Sequence, residues 1–512
     1  MKKIFIISCI LFVLSSCDSF LKEYSQDLAR VETIGDLDEL LLGSAYYPIG
    51  YKYIASYTLY TVGEPYNQYV HFMSDELKQN EETSYGSNGI FETVFGYYTW
   101  QRQVGINLKG TSVGTENTDW KKTYNYINAT NMILSELDEV TIHDDEEEST
   151  KMRVEGECHF LRALYYFTLV NLYADPYVPS KAASTPGVPL KLTSYVEDKE
   201  YQNNSVAEIY EQVLKDLNRA IECLSQTTRK SIYRADITAA YLLTARVYLY
   251  MQDYPNARKY AQLVLDRNDN LTDLNLFAGT DNVFTSENPE VIFSMGGHFL
   301  SYNIYGDDRY DEEYPFYVSD DLIAAFEEND LRKSLYISEG GYGYYYKKIY
   351  WGRKHYGSSC SVSDNFLFRT SEAYLILAEA CAFDNEEGLA RQYIEQLQAK
   401  RFATVPAVTQ SGNALIDLIR EERQRELCLE GHRWFDLRRY TVCEKYPWSK
   451  TIRHLYTDFS SQDWSPERTR VFELEPNDKA YTLAFPKEVL DFQNTLNTNN
   501  RPERLPVEES NY

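Results

Sequence analysis

The chain has 512 residues, 51 Lys and Arg against 77 Asp and Glu, and a formal net charge of -26 at pH 7. With 43% hydrophobic residues and only 24 Gly and 16 Pro, it can bury a large core and is neither collagenous nor low in complexity. The charge excludes a nucleic-acid binder, which needs clustered Lys and Arg to neutralise phosphates, and it disfavours acidic ligands. What stands out is Tyr, 46 residues against 23 Phe, which supplies many flat apolar faces that each carry a hydroxyl.

At the start, Lys2 and Lys3 precede an apolar run from Ile4 to Leu14. That run is about half the ~20 residues a bilayer-spanning helix needs, so residues 1–16 are predicted to be a secretory signal. It ends in Leu14-Ser15-Ser16-Cys17, which resembles the lipobox of bacterial lipoproteins. The resemblance implies lipidation (palmitate) of Cys17 as the first mature residue and the only membrane attachment. Loss of Lys2 and Lys3 moves the formal charge from -26 to -28. The later cysteines, Cys158, Cys223, Cys360, Cys381, Cys428 and Cys443, show no C-x-x-C pairing. Cys158, Cys223, Cys381 and Cys428 fall in helix-like apolar stripes, so buried thiols are expected there, with no disulfide framework or metal site signalled.

Apolar residues at three- and four-residue spacing predict helices over 120–137, 154–173, 206–224, 237–251, 257–265 and 322–326. The acidic run Asp144 to Glu148 reads as a solvated loop. Between the helices, 43–114, 176–204, 276–319 and 339–364 read as irregular segments, far longer than ordinary connections. Their Tyr and Trp content favours order.

Two helix pairs share a period. Tyr241-x-x-Thr244-Ala245-x-x-Tyr248 followed by Ala257-x-x-x-Ala261 has the tetratricopeptide alternation of large and small residues, and Tyr374-x-x-Leu377-Ala378-x-x-Cys381 followed by Ala390-x-x-x-Ile394 repeats it. Small residues let two helices approach while large ones fill the groove between them. A third pair is expected to be split, with 176–204 inserted between its helices. The predicted fold is mainly α: degenerate tetratricopeptide-like helical pairs forming a short solenoid with large irregular loop insertions.

The densest charged segment runs from Arg420 to Arg439. Glu422, Glu426 and Glu430 are four apart and share a face of one predicted helix that stops at Gly431. Two of these carboxylates could serve as acid and base, but each has a nearby Arg, which favours an ion-paired structural staple.

This segment, Glu-Arg-x-x-Glu-Leu-x-x-Glu-Gly-x-Arg-Trp-Phe-Asp-Leu-Arg-Arg over 422–439, closely resembles the C-terminal signature of the SusD/RagB family of Bacteroidetes surface lipoproteins. Further matches stand in the family's order: the lipobox at Cys17, Phe160 to Tyr166 leading to Asp175-Pro176, Asp330-Leu331-Arg332, Arg369-x-x-Glu372-Ala373-Tyr374-x-x-x-Ala378-Glu379-Ala380, and Ala484 to Glu488. A modest departure is Asn499-Asn500-Arg501-Pro502, where the family usually has a Gln-Asn-Pro-Gly-like turn. The resemblance implies an N-terminal region over 17–230 and a C-terminal one over 231–512. It implies a non-catalytic nutrient-binding lipoprotein of the outer membrane that passes oligosaccharides, or peptides in some members, to a TonB-dependent SusC-like transporter barrel. The signature residues Arg162, Glu372, Glu379, Glu426, Glu430, Gly431, Arg433, Trp434, Asp436 and Arg438 are then fold determinants.

Ligand contacts are expected in the loops, because sugar rings stack on Tyr and Trp while their hydroxyls need a few convergent polar partners. One cluster offers Tyr66, Asn67, Tyr69, Asp75, Asn88, Tyr97, Tyr98, Trp100 and Arg102; a second, Tyr302, Asn303, Tyr305, Asp307, Tyr310 and Tyr314; a third, Tyr342, Tyr344, Tyr345, Tyr346, Trp351 and Tyr356. The family resemblance implies a site built from loops corresponding to the first two. Tyr165, Tyr241 and Tyr248, at helical spacing, are expected in the core. No cofactor or metal motif is present: Asp266-x-Asn268-x-Asn270 lacks the glycine and glutamate of a calcium loop. The negative charge favours a neutral oligosaccharide. The competing readings are a peptide-import lipoprotein and a helical-toroid glycoside hydrolase or polysaccharide lyase.

Overall fold

Side-chain caps set where the long helices begin. The computed structural model describes residues 31–47, 51–54, 58–61, 69–82, 88–116, 118–278, 282–296, 300, 314–340, 342–349, 361–365 and 367–512. Helix α1 (Ile34–Leu40) opens with a Thr33–Asp36 capping box and continues into a π-helical turn, Leu41–Ala45. Strands β1 (Tyr51–Ile54) and β2 (Thr58–Thr61) pair antiparallel. Then come α2 (Tyr69–Met73), β3 (Leu77–Gln79) and α3 (Asn88–Tyr98). The expectation that 43–114 is irregular is corrected here. Every residue of α2 is buried, so it shows no polar face for periodicity to detect.

Helix α4 (Thr118–Glu136) precedes α5 (Asp145–Tyr173), which starts nine residues before the predicted position. Asp144 is its N-cap, accepting from the backbone N–H of Glu146 and Glu147 at 3.0 and 2.9 Å. The acidic run is therefore the first turn of a helix, where carboxylates complement the positive end of the macrodipole. Helix α6 (Val206–Leu224) opens with a Ser205–Glu208 capping box, α7 (Ile237–Tyr250) with Asp236, and α8 (Tyr254–Leu265) with Asp253 and a proline in the first turn.

Short strands follow: β4 (Val291–Ser294) and β5 (Phe316–Val318), then α9 (Asp320–Ala325), α10 (Arg332–Leu335), β6 (Ile337–Glu339), β7 (Tyr344–Tyr346) and β8 (Leu367–Arg369). The chain closes with α11 (Thr370–Phe383), α12 (Glu387–Gln398), α13 (Asn413–Glu426), α14 (Arg433–Thr441), β9 (Ile452–Phe459), β10 (Pro466–Leu474), α15 (Lys487–Phe492) and β11 (Glu508–Asn511). Among the described residues all the strand pairings are antiparallel: β3 with β5, β4 with β8, β6 with β7, and β9–β10–β11 as a three-stranded sheet.

Helices α5 and α6, α7 and α8, and α11 and α12 pack as pairs, with α6 against α7 and α8 against α11, which is the predicted solenoid. Ala245, Ala257, Ala261, Ala378 and Ala390 are fully buried at these contacts. Gly156 serves the same purpose in the first pair: a Cβ there would lie 2.7 Å from Leu224 Cγ. The insertion between α5 and α6 is irregular, as expected, but is ordered by the helices beneath it. Tyr124 Oη donates to Pro189 O at 2.8 Å, and Tyr166 Oη and Asn131 Nδ2 donate to Lys191 O at 2.7 and 2.9 Å.

Tyr165 is fully buried, and Tyr241 and Tyr248 pack half-buried against the core. Cys158, Cys223, Cys381, Cys428 and Cys443 are buried free thiols. Cys17 and Cys360 lie outside the described residues. Replacing Ala378 by Leu, which drives extra methylenes between paired helices, is expected to destabilise the fold by about 1–3 kcal/mol, read as a lower midpoint in chemical denaturation.

Candidate functional site

Of the predicted ligand contacts, Tyr69, Asp75, Tyr97, Tyr98, Trp100, Tyr314 and Tyr346 are buried. Asp75 is buried and held bidentately by Arg433, whose Nε and Nη2 donate to it at 2.7 and 2.8 Å, with Lys450 Nζ 2.7 Å away. Burial raises the pKa of its carboxyl, but Arg433 and Lys450 overcome that and hold it well below the ordinary carboxylate range. Trp100 is fully buried; its Nε1 donates to Met73 O at 2.9 Å and its ring stacks on His454 at 4.4 Å. Tyr98 stacks on the other side of His454 at 4.2 Å, and Tyr97 stacks on Tyr69 at 4.1 Å. These faces are covered by protein, so the sequence assignment of Tyr69, Asp75, Tyr97, Tyr98 and Trp100 as ligand contacts is corrected to core packing, and the buried Tyr314 and Tyr346 are corrected with them. Lys450 and His454, which meet Asp75 and the Tyr98 and Trp100 rings, carried no motif that sequence reading could have used.

Asn88 begins α3, and its side chain lies outside the described residues, as do Tyr66, Asn67, Tyr302, Asn303, Tyr305, Asp307, Tyr310, Trp351 and Tyr356. What the structure brings together is the third tyrosine cluster and the end of the second. The β3–β5 ladder is prolonged by Asn80, whose N–H donates to Pro315 O at 2.9 Å and whose Nδ2 donates to Tyr314 O at 3.0 Å. The β6–β7 hairpin seats against β5, with the Gly343 backbone so close that a Cβ would lie 3.0 Å from Tyr317 Cγ. The Tyr345 ring thereby comes to 5.4 Å from that of Tyr314, which is itself buried, while Tyr342, in the hairpin turn, is 49% exposed.

Asp364 ties this region together. It accepts from Tyr346 Oη and from the Leu300 backbone N–H, both at 2.5 Å. Burial pushes its carboxyl up to about 8, against both of these hydrogen bonds. Glu76, next to Asp75, is likewise pushed up to about 8 by burial, although it accepts from Leu429 N–H at 2.8 Å.

The C-terminal signature forms a buried ion network. Glu426 accepts from Arg332, Arg369 and Arg401 at 2.8–3.0 Å. Glu422 accepts from Arg332 and Arg425 at 2.6 and 2.7 Å, and Glu430 from Arg369 at 2.7 Å with Lys348 beside it. Glu290 and Asp330 complete the set through Arg369, Arg401 and Arg332. The predicted common helix face is corrected: α13 ends at Glu426, and Glu430 reaches the network from a turn with Leu429 at φ 58° and Gly431 at φ 79°. Burial raises Glu422, but Arg332 and Arg425 outweigh it and hold the carboxyl down at about 2. A saturated, inaccessible carboxylate of this kind cannot take up or deliver a proton, so the acid–base reading of these residues loses its basis.

The remaining signature residues join elements in the same way. Arg162 pairs with Asp216 across α5 and α6, Glu372 with Arg246 across α11 and α7, and Arg439 with both Glu379 and Asp436. Arg438 donates to the carbonyls of Asn171 and Ala174 at the C-terminus of α5, and Trp434 stacks on Tyr481. Among the described residues no group of three or more His, Cys, Asp or Glu is placed to hold a metal ion, and no helix is long and apolar enough to cross a membrane.

Stacked helical pairs carrying long insertions, with an aromatic surface on those insertions, define a helical-repeat architecture. Residues 297–502 match the profile described as "SusD family", and 52–249 match one described as "Starch-binding associating with outer membrane"; the chain belongs to the SusD/RagB family. Among curated relatives, SusD-like protein P38 of Formosa agariphila is 24% identical over 393 residues, covering 66% of this chain and 74% of the relative. SusD-like protein P25 of the same organism is 22% identical, covering 85% and 88%. Among solved structures, a SusD superfamily protein from Bacteroides thetaiotaomicron superimposes with a TM-score of 0.69 at 19% identity, covering 92% of this chain and all of the other. A SusD-like carbohydrate binding protein from Bacteroides vulgatus gives 0.65 at 20% identity, covering 92% and 99%.

Two outcomes follow for stability. Glu426→Gln leaves buried guanidinium groups short of a counter-charge and is expected to cost about 3–5 kcal/mol, measured by chemical denaturation. Glu76 holds a proton in the folded state that the unfolded chain releases near its ordinary pKa, so its contribution is complete at low pH and is lost as pH rises through about 8. Glu76→Gln, which cannot titrate, should therefore show a smaller fall in thermal midpoint between pH 6 and 9 than the native chain.

Proposed function

We propose that this protein is a non-catalytic glycan-binding lipoprotein, anchored to the outer membrane by lipid on Cys17, that captures a neutral oligosaccharide and delivers it to a TonB-dependent transporter barrel. The observation that carries the reading is the tyrosine surface where the β6–β7 hairpin meets β5. The Tyr345 ring lies beside Tyr314, and Tyr342, in the turn of the same hairpin, is half exposed; rings of this kind stack on the C–H faces of sugars. Tyr66, Asn67, Asn88, Tyr302, Asn303, Tyr305 and Trp351, from the flanking segments, are proposed as further contacts. Support also comes from the family description as starch-binding and outer-membrane-associated, and from the solved relative named as carbohydrate binding. The chain's charge of -26 repels uronates and sulfated sugars and so favours a neutral ligand. Binding closes no covalent step: stacking supplies affinity, and hydroxyl contacts at the rim supply orientation.

The test is a calorimetric screen of the purified chain against neutral polysaccharides, their oligosaccharides and peptides, with product analysis in the same tubes. Saccharide binding without turnover is expected. Turnover would establish the hydrolase or lyase reading instead, and peptide binding alone the peptide-import reading. Tyr342→Ala and Tyr345→Ala should each weaken saccharide binding by about 1–3 kcal/mol if they are central anchors. Unchanged affinity in both would remove this surface as the site.

A further inference from the structure

The two faces of the β6–β7 hairpin carry different tyrosines. Successive strand residues point to opposite faces, so Tyr345 joins Tyr314 on one side while Tyr344 turns to the other. On that second side lies an open cleft of about 380 Å³, between the hairpin and the segment around α10. Glu339 pairs in register with Tyr344 and shares its face; Glu328, Asn329, Lys333 and Ser334 form the opposite wall.

The polar groups there differ from those of the neighbouring ion network. In the neighbouring network every carboxylate is saturated by guanidinium or ammonium groups; even Asp330, on the floor of this cleft, is held by both Arg332 Nε and Nη2 at 2.9 and 2.8 Å. By contrast, the side chains of Glu328, Asn329, Lys333 and Glu339 make no hydrogen bond or ion pair among the described residues. Two carboxylates, an ammonium and an amide thus surround one half-buried aromatic ring without engaging one another. The volume falls within the range of small-ligand sites, about 300–1,000 Å³, and fits one or two sugar rings. The excess of carboxylate over ammonium disfavours an anionic ligand.

We propose that this cleft is a second saccharide subsite, separate from the Tyr342–Tyr345 surface, which stacks a neutral sugar ring on Tyr344 and hydrogen-bonds its hydroxyls through Glu328, Asn329, Lys333 and Glu339. The proposal rests on the reading of the protein as an oligosaccharide binder. With one subsite on each side of a single hairpin, a long glycan chain or two short ones can be held together, and simultaneous engagement raises overall affinity without new contacts at either site.

The experiment uses the full chain with maltotriose, cellotriose and laminaritriose as short neutral probes and maltoheptaose as a long one. Stoichiometry is measured by calorimetry and location by hydrogen-exchange protection of residues 328–346. The expected result is two sites per chain for the trisaccharide that binds, with protection at 328–339. Tyr344→Ala and Glu339→Ala should each weaken one of those sites at least fivefold, and Tyr342→Ala should leave that site intact. Glu339 is exposed, so its variant answers the question even if Tyr344→Ala is misfolded by circular dichroism. A single site per chain, a second site untouched by Glu339→Ala, or protection absent from 328–339 overturns the subsite while leaving the oligosaccharide reading standing. Failure of the native chain to bind any of the four probes overturns the subsite, and only failure across the wider polysaccharide screen overturns the reading.

Discussion

The structure depends on burying charge without leaving any of it uncompensated. Glu426 sits at the centre, reached by Arg332 from the segment before β6, Arg369 from β8 and Arg401 from the loop after α12. Taking such groups out of water costs several kcal/mol each, repaid only when each has close opposite charge and directed hydrogen bonds. Here the acids Glu290, Asp330, Glu422, Glu426 and Glu430 are matched in number by Arg332, Arg369, Arg401, Arg425 and Lys348. Replacement by well-packed apolar residues could be as stable. What the ion network adds is specificity of arrangement, because a guanidinium fork accepts few geometries.

That specificity has a structural use. The helical pairs pack through alanines and glycine and would form a solenoid on their own terms, but the long insertions have little regular structure to hold them. Arg332 and Arg369 stand at the roots of the chain segments that carry the tyrosines, and both are clamped to α13 or the turn after it. Asp75, at the foot of β3, is clamped in turn by Arg433 of α14. Loops positioned by a rigid base in this way can present aromatic faces to a ligand without a large ordering cost on binding.

How much of this was legible in the sequence follows from the kind of signal each part left. Helices α6 and α7 were readable almost to the residue: α6 is apolar on one side at helical spacing, α7 is apolar over most of its length, and Ser205 or Asp236 caps the start. The start of α5 was misread because Asp144 to Glu148 has no apolar stripe, although its cap and acidic first turn are themselves a helix signal. Strands β3 and β5 are three residues each and lie far apart in the chain; a ladder of that length leaves no alternation to count. The ion-paired nature of the signature was legible from the nearness of Arg and Glu, but not the partners: Arg433 meets Asp75, more than three hundred residues earlier in the chain. Trp100 and Tyr98 show the same difficulty from the opposite side. In a loop-like segment an aromatic can face solvent or core, and here His454, from a strand near the C-terminus, fills the space between them.

By itself, then, the sequence determined the helical-pair architecture and the family, because periodicity and signature spacing are local properties of the chain. Only the tertiary structure decided which tyrosines are core and which lie at the surface, and which carboxylates are neutralised and which stand uncommitted. Those outcomes depend on what packs against each side chain from hundreds of residues away, and burial and counter-charge are properties of the assembled neighbourhood rather than of the residue or its sequence neighbours.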